Sequence, residues 1–329
     1  MLKKVVALML GLALGLSACA SAAPTRTAGP LTQIRLPMGY IPNVQYAPFY
    51  VAVDRGYFAE EGIQIDFDYS FETDGIALVG AGELPFTLAS GEQVLLAREQ
   101  GLPVVYSYAW YKEFPVSVVA RRGLNIHTPA DLRGHKIGLP GLFGASYIGL
   151  EAILFNGGLK DTEVTLDAIG FNQVEAFASG QQDIVVVYTT NEPIVLRSKG
   201  LDFTELRVAD YLQLVANGLV TNEKTIAENP ELIRDMNRAL ARGIRDTVAD
   251  PNAAYEICKK FVENLGATDE AVQNQVLAAS ISFWNLENPG KSDQQAWANM
   301  NDLLVKMGLL KAPLDVSKVF TNDFAPQGQ

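Results

Sequence analysis

The chain has 329 residues, with 26 Lys and Arg against 37 Asp and Glu, and a formal charge of -11 at neutral pH. That acidity excludes the basic surface through which proteins attract nucleic-acid phosphates. With 48% hydrophobic residues, the length suits two cores rather than one.

Lys3 and Lys4 precede an apolar run from Val5 to Leu16, which closes in Leu16-Ser17-Ala18-Cys19. Two cations, a short apolar core and a small-residue cleavage site are the marks of a secretory signal. The run is shorter than the roughly 20 residues of a spanning helix. A cysteine directly after the cut resembles a bacterial lipoprotein signal. That resemblance implies removal of residues 1–18, acylation of Cys19 and a chain held by its lipids on the extracytoplasmic face of a cell membrane. Losing Lys3 and Lys4 and no acid takes the formal charge to -13. Residues 19–32, with Pro24 and Pro30, read as a tether. Cys258 is then the one remaining cysteine besides Cys19, so no intramolecular disulfide is expected.

Ile34 to Met38 reads as a strand and Pro48 to Phe58 as a helix, broken by Glu61-Gly62 before the alternating strand Ile63-Gln64-Ile65-Asp66-Phe67. Helices around Gly75–Ala81 and Gly91–Glu99 flank a strand at Phe86–Leu88, and Val104–Tyr108 is a further strand. Thr128-Pro129-Ala130-Asp131-Leu132-Arg133-Gly134 carries an N-cap, a proline at the first helical position and a closing glycine. Lys136–Leu139, Val164–Ala168 and Ile184–Tyr188 alternate with helices at Tyr147–Asn156, Gly170–Ala178 and Glu192–Lys199. From Glu231 onward the pattern is nearly all helix. Such alternation predicts an α/β fold with parallel sheets covered on both faces. Two βα lobes follow, with a hinge between them: residues 33–120 plus 223–329, and residues 121–222. The helical C-terminal tail is expected to return to the first lobe, and ligand to sit between the lobes at the carboxyl ends of strands.

The segment Tyr50-Val51-Ala52-Val53-Asp54-Arg55-Gly56-Tyr57-Phe58-Ala59-Glu60-Glu61-Gly62-Ile63 resembles the opening of the type 2 periplasmic binding proteins of ABC importers. The likeness continues through Ser90-Gly91-Glu92-Gln93-Val94-Leu95, Gly101-Leu102-Pro103-Val104, Phe114-Pro115-Val116-Ser117 and Thr128–Gly138, and covers most of Ile34 to Met307. The branch is the one that binds thiamine-pyrimidine precursors and related aromatic heterocycles, and its riboflavin-binding importer components are the most similar. The resemblance implies two lobes closing on a flat ring that is stacked on aromatic side chains. The chain would be a monomer that needs no cofactor and passes riboflavin, or a related heterocycle, to an ABC permease and ATPase. A formylated or hydroxymethyl aminopyrimidine is the second choice of ligand.

Asn43-Val44-Gln45-Tyr46 falls on the ligand loop of that family. Pyrimidine binders tend to carry histidine where Tyr46 stands, and the cysteine-rich motif of the pyrimidine-synthesising enzymes is absent. Trp110 and Tyr111 emerge from a strand where a cleft residue would, offering a stacking face or plain hinge packing. Glu192, after Tyr188 and Asn191, matches the family position that hydrogen-bonds the ring edge, yet it equally suits the first turn of a helix. Asn191 fits the acceptor–donor–acceptor edge of a flavin better, because an amide both donates and accepts. Glu192 therefore favours a pyrimidine, while Tyr46 and the aromatic density favour a flavin. Ser90-Gly91 and the Gly141–Ser146 loop present helix-start N–H groups to a ligand carbonyl or hydroxyl; for Ser146 a plain helix start is the simpler reading. His127 and His135 have no partner at metal-ligand spacing. No nucleophile–base pair or triad is visible, so no catalytic residue is assigned. An enzyme or a ligand sensor on the same scaffold are the competing classes.

Overall fold

The structure is a computed structural model that describes residues 30–326. The expected signal peptide, Cys19 and the tether up to residue 29 lie outside the described residues.

The first lobe begins with β1 (Thr32–Gly39), which buries Ile34, Leu36 and Met38 and runs parallel to β2 (Ile63–Phe71). Between them lie a 3-10 turn (Val44–Tyr46), α1 (Ala47–Asp54) and α2 (Tyr57–Glu60). The expected single helix over 48–58 is split because Gly56 takes the left-handed conformation, φ 77°. Next come α3 (Glu72–Gly80), β3 (Thr87–Ala89), α4 (Gly91–Glu99) and β4 (Val104–Ala109). The second lobe holds β5 (Val116–Arg121), β6 (Lys136–Leu139), α5 (Gly144–Asn156), β7 (Thr165–Ala168), α6 (Gln173–Ala178), β8 (Ile184–Tyr188), α7 (Glu192–Ser198) and β9 (Phe203–Arg207). The chain then returns through β10 (Gly218–Asn222), α8 (Glu223–Glu228), α9 (Pro230–Ala249), α10 (Pro251–Cys258), α11 (Glu270–Phe283) and α12 (Gln294–Lys306).

Strand pairing corrects two expectations. Only the β1–β2 pair is wholly parallel; the three-stranded sheet pairs antiparallel and the five-stranded one is mixed. β10 runs antiparallel between β3 and β4, and β5 runs antiparallel between β8 and β9 within the order β7-β6-β8-β5-β9. Both reversed strands are those by which the chain passes between lobes, so each enters its new sheet from the cleft side. The expected boundaries at 120/121 and 222/223 accordingly shift by one strand: β5 belongs to the second sheet and β10 to the first.

The helical tail does cover the first lobe. Helix α1 is apolar on nearly every face, with Ala47 to Ala52 all buried, and it lies against α9 and α10. Arg238 of α9 grips Glu61 with two hydrogen bonds of 3.0 and 2.7 Å. Cys258 is fully buried in α10, and burial pushes its thiol up to about 12. Trp284 and Trp297 are core residues as well. Among the described residues, no helix is long and apolar enough to cross a membrane.

Candidate functional site

Six strands deliver residues from their carboxyl ends to one cavity of about 80 Å³ between the lobes. Gly39 ends β1 and Tyr40 follows it, Phe71 and Glu72 stand at the end of β2, and Trp110 and Tyr111 follow β4. From the other side come Pro140 and Phe143 after β6, Phe171 after β7 and Tyr188 at the end of β8. Asn217 completes the wall from the start of β10, because an antiparallel strand begins where its neighbours end. Gly144, Ala145 and Ser146 bring the first turn of α5 to the same space.

Eight aromatic side chains line this cavity. Trp110 is 3% exposed and stacks on Tyr46 with ring centres 6.0 Å apart and planes 29° from parallel. It also meets Phe49, Tyr111 and Trp284 at 5.2, 4.8 and 6.1 Å. Tyr46 is fixed by its hydroxyl, which donates to the Met38 carbonyl at 2.7 Å. At the mouth Phe71 is 43% exposed and stands edge-on to Phe143 at 5.2 Å, with Phe171 5.7 Å away. Phe171 in turn meets the edge of Tyr40 at 4.7 Å. Phe71 belongs to the first lobe and Phe143 and Phe171 to the second, so these rings bridge the opening. Edge-to-face pairs of this kind contribute roughly 0.5–1.5 kcal/mol each.

The polar groups are few. Among the described residues, Glu72 is the one carboxyl in the wall, and no Lys, Arg or His lines it. Its Oε1 accepts from Asn217 Nδ2 and its Oε2 from Ser90 Oγ, both at 2.8 Å. Gly39 makes room for it: a Cβ there would stand 2.7 Å from Glu72 Cγ. Burial, and then the nearby Glu92, raise the Glu72 carboxyl above the usual carboxylate range. Across the cleft, Gln45 Nε2 donates to Thr190 Oγ1 at 2.7 Å, which ties the 3-10 turn to the second lobe.

Of the residues expected from sequence, Tyr46, Trp110, Tyr111 and Tyr188 do line the cavity. Asn43, Ser90, Asn191 and Glu192 do not; each stands one layer behind it. Asn43 caps the 3-10 turn by accepting from Gln45 N at 3.0 Å. Ser90 holds Glu72. Asn191 Nδ2 reaches the Tyr40 hydroxyl at 3.5 Å. Glu192 Oε2 accepts from the Tyr188 backbone N–H at 2.9 Å. Its carboxyl thus caps the turn behind the cavity, and burial pushes it up to about 7. The carboxyl that faces the cavity is Glu72, which motif reading overlooked. Tyr40, Phe71, Phe143, Phe171, Gln45 and Asn217 were missed as well, and Ser146 lines the cavity although a plain helix start was the simpler reading. A stricter use of the strand-end rule would have found Tyr40 and Phe171, each within three residues of an expected strand terminus, whereas Phe71 and Glu72 follow a strand that runs on past its expected end at Phe67.

Comparison with known proteins adds the following. The family described as NMT1/THI5 like matches residues 43–254. The riboflavin-binding protein RibY of Chloroflexus aurantiacus is 41% identical over 321 residues, covering 95% of this chain and 92% of its own. The formylaminopyrimidine-binding protein of Halalkalibacterium halodurans is 29% identical, covering 97% and 98%. Among solved structures, the alkanesulfonate-binding protein SsuA from Xanthomonas axonopodis shares the fold. Its TM-score is 0.70 at 17% identity, over 90% of this chain and 100% of that one. The fold is that of the periplasmic binding proteins.

Proposed function

The chain belongs to the NMT1/THI5-like family, and from that premise we propose that it captures a flat aromatic vitamin, riboflavin first, between its lobes for delivery to an ABC importer. The observation that carries this reading is the wall itself, which among the described residues holds eight aromatic side chains, one carboxyl and no cation. Flat rings gain from such walls through buried area and stacking, whereas an anion would find no countercharge. Capture needs no bond chemistry. The lobes close as a hinge, driven by contacts that the ligand makes with both. At about 80 Å³ the cavity has room for a handful of waters, so a tricyclic ring enters only when Phe71 parts from Phe143 and Phe171.

A formylated or hydroxymethyl aminopyrimidine is the second reading, favoured by the relative named for a formylaminopyrimidine and by the Glu72 acceptor. The earlier ground for it, Glu192 as ring anchor, is weakened because that carboxyl lies outside the cavity wall and is engaged by the Tyr188 backbone. We propose further that acylated Cys19 holds the protein on the extracytoplasmic face of the membrane. Palmitate labelling abolished by Cys19→Ala would support the anchor, and unchanged labelling would refute it.

The deciding experiment is a fluorescence titration of the full chain, purified in mild detergent, with riboflavin. Saturable quenching at one site per chain, lost in Trp110→Ala, is expected. A flat trace accompanied by binding heat from a formylated aminopyrimidine would move the protein to the second reading.

A further inference from the structure

The second lobe brings an uncapped helix start to the cavity. Gly144 leaves the loop after β6 at φ 71°, a left-handed turn that glycine makes without strain. Together with Ala145 and Ser146 it sets the first turn of the 13-residue α5 in the wall. Phe143, at the N-cap, supplies no side-chain hydrogen bond. Among the described residues, the backbone N–H groups of Gly144, Ala145 and Ser146 find no acceptor. A helix start leaves such donors to a side chain, to water or to a ligand. Ser146 is a second, independent observation. It is 9% exposed and lines the cavity, and no group among the described residues bonds its hydroxyl. Other polar groups of the wall are engaged within the protein. The Tyr46 hydroxyl donates to the Met38 carbonyl at 2.7 Å, the Tyr188 hydroxyl lies 3.3 Å from Asn217 Oδ1, and both Glu72 oxygens are bonded. The start of α5 therefore holds a surplus of donors in an otherwise aromatic wall.

Resting on the reading of a flat ring held in this cleft, we propose that the first turn of α5, with Ser146 as its side-chain donor, is the specificity-determining subsite: it receives an uncharged carbonyl oxygen on the ring edge. A carbonyl accepts from the N–H groups and the hydroxyl alike. A ring amino group in the same place would face the N–H groups donor to donor and leave them buried without a partner. The subsite thus favours a ring dione, such as a flavin, over an aminopyrimidine. An oxyanion is served less well. A helix start offers roughly half a positive charge, and among the described residues no Lys, Arg or His lines the cavity to complete it.

The test titrates the full chain by calorimetry with riboflavin and with lumichrome, a tricyclic dione of the same kind that lacks the hydroxylated chain. Ser146→Ala should weaken both ligands by the same factor, about three- to tenfold, as for the loss of one neutral hydrogen bond. The variant should melt no lower than wild type, since alanine suits a helix better than serine and no bond within the protein is lost. Weakening of riboflavin alone, or wild type that binds riboflavin but not lumichrome, would assign recognition to the chain and overturn the inference. Weakening of neither ligand would overturn it as well, leaving ring capture intact. Riboflavin 5′-phosphate bound by wild type at least about tenfold tighter than riboflavin, with that margin lost in Ser146→Ala, would make the turn an anion site and overturn it too. Failure of wild type to bind both diones would overturn capture and the inference together.

Discussion

Tyr46 ties the cavity wall to the core through a single hydroxyl. Its ring stacks on Trp110 while its oxygen satisfies the buried Met38 carbonyl. Tyr46→Phe should therefore cost about 1–3 kcal/mol, the penalty of an unsatisfied buried acceptor, while riboflavin quenching persists. Thermal melting beside the titration separates the two effects. Phe71 does the opposite work, since it is exposed and bridges the mouth. Phe71→Ala should lower stability by about 0.5–1.5 kcal/mol, the edge-to-face contact with Phe143, and accelerate riboflavin release. Stopped-flow dissociation would show it, and an unchanged off-rate would mean that these rings do not gate the cleft. At this scale the sequence was half legible. Trp110 and Tyr111 could be read from their place after a strand. Glu72 and Glu192 are both carboxyls at a strand-to-helix turn, and only side-chain direction decides which one faces the cavity.

Among the elements, the contact between α1 and α9 depends on one close approach. Gly243 of α9 lies so near α1 that a Cβ would stand 2.1 Å from the Pro48 carbonyl oxygen and 3.0 Å from the Ala52 Cβ. Gly243→Ala should force the helices apart at about 1–3 kcal/mol, the usual cost of overpacking. The check is a lowered urea midpoint with an unchanged slope. Helices and strands themselves were largely predictable because caps, prolines and apolar periodicity are local. The directions of β5 and β10 were not, because strand polarity depends on how the chain crosses the cleft.

For the whole molecule, buried acids set the pH dependence of stability. Glu72, Glu92, Glu192 and Glu151 are all raised from an ordinary value of 4.5, chiefly by burial, with Glu151 and Glu192 at about 7. A raised acid binds its proton more tightly folded than unfolded, so its contribution is present below pH 4.5 and is lost as pH rises through 7. The melting temperature should fall between about pH 5 and 8, and Glu192→Gln should flatten part of that slope. A melting temperature that rises over this range would contradict the burial of these carboxyls. The sequence by itself determined the acidic character, the α/β alternation, the helical tail and a family resemblance, because composition, periodicity and motif are written along the chain. Only the tertiary structure decided which lobe each crossing strand joins, and that Glu72 rather than Glu192 faces the cavity. Both depend on residues distant in sequence meeting across one cleft, and no local pattern encodes that meeting.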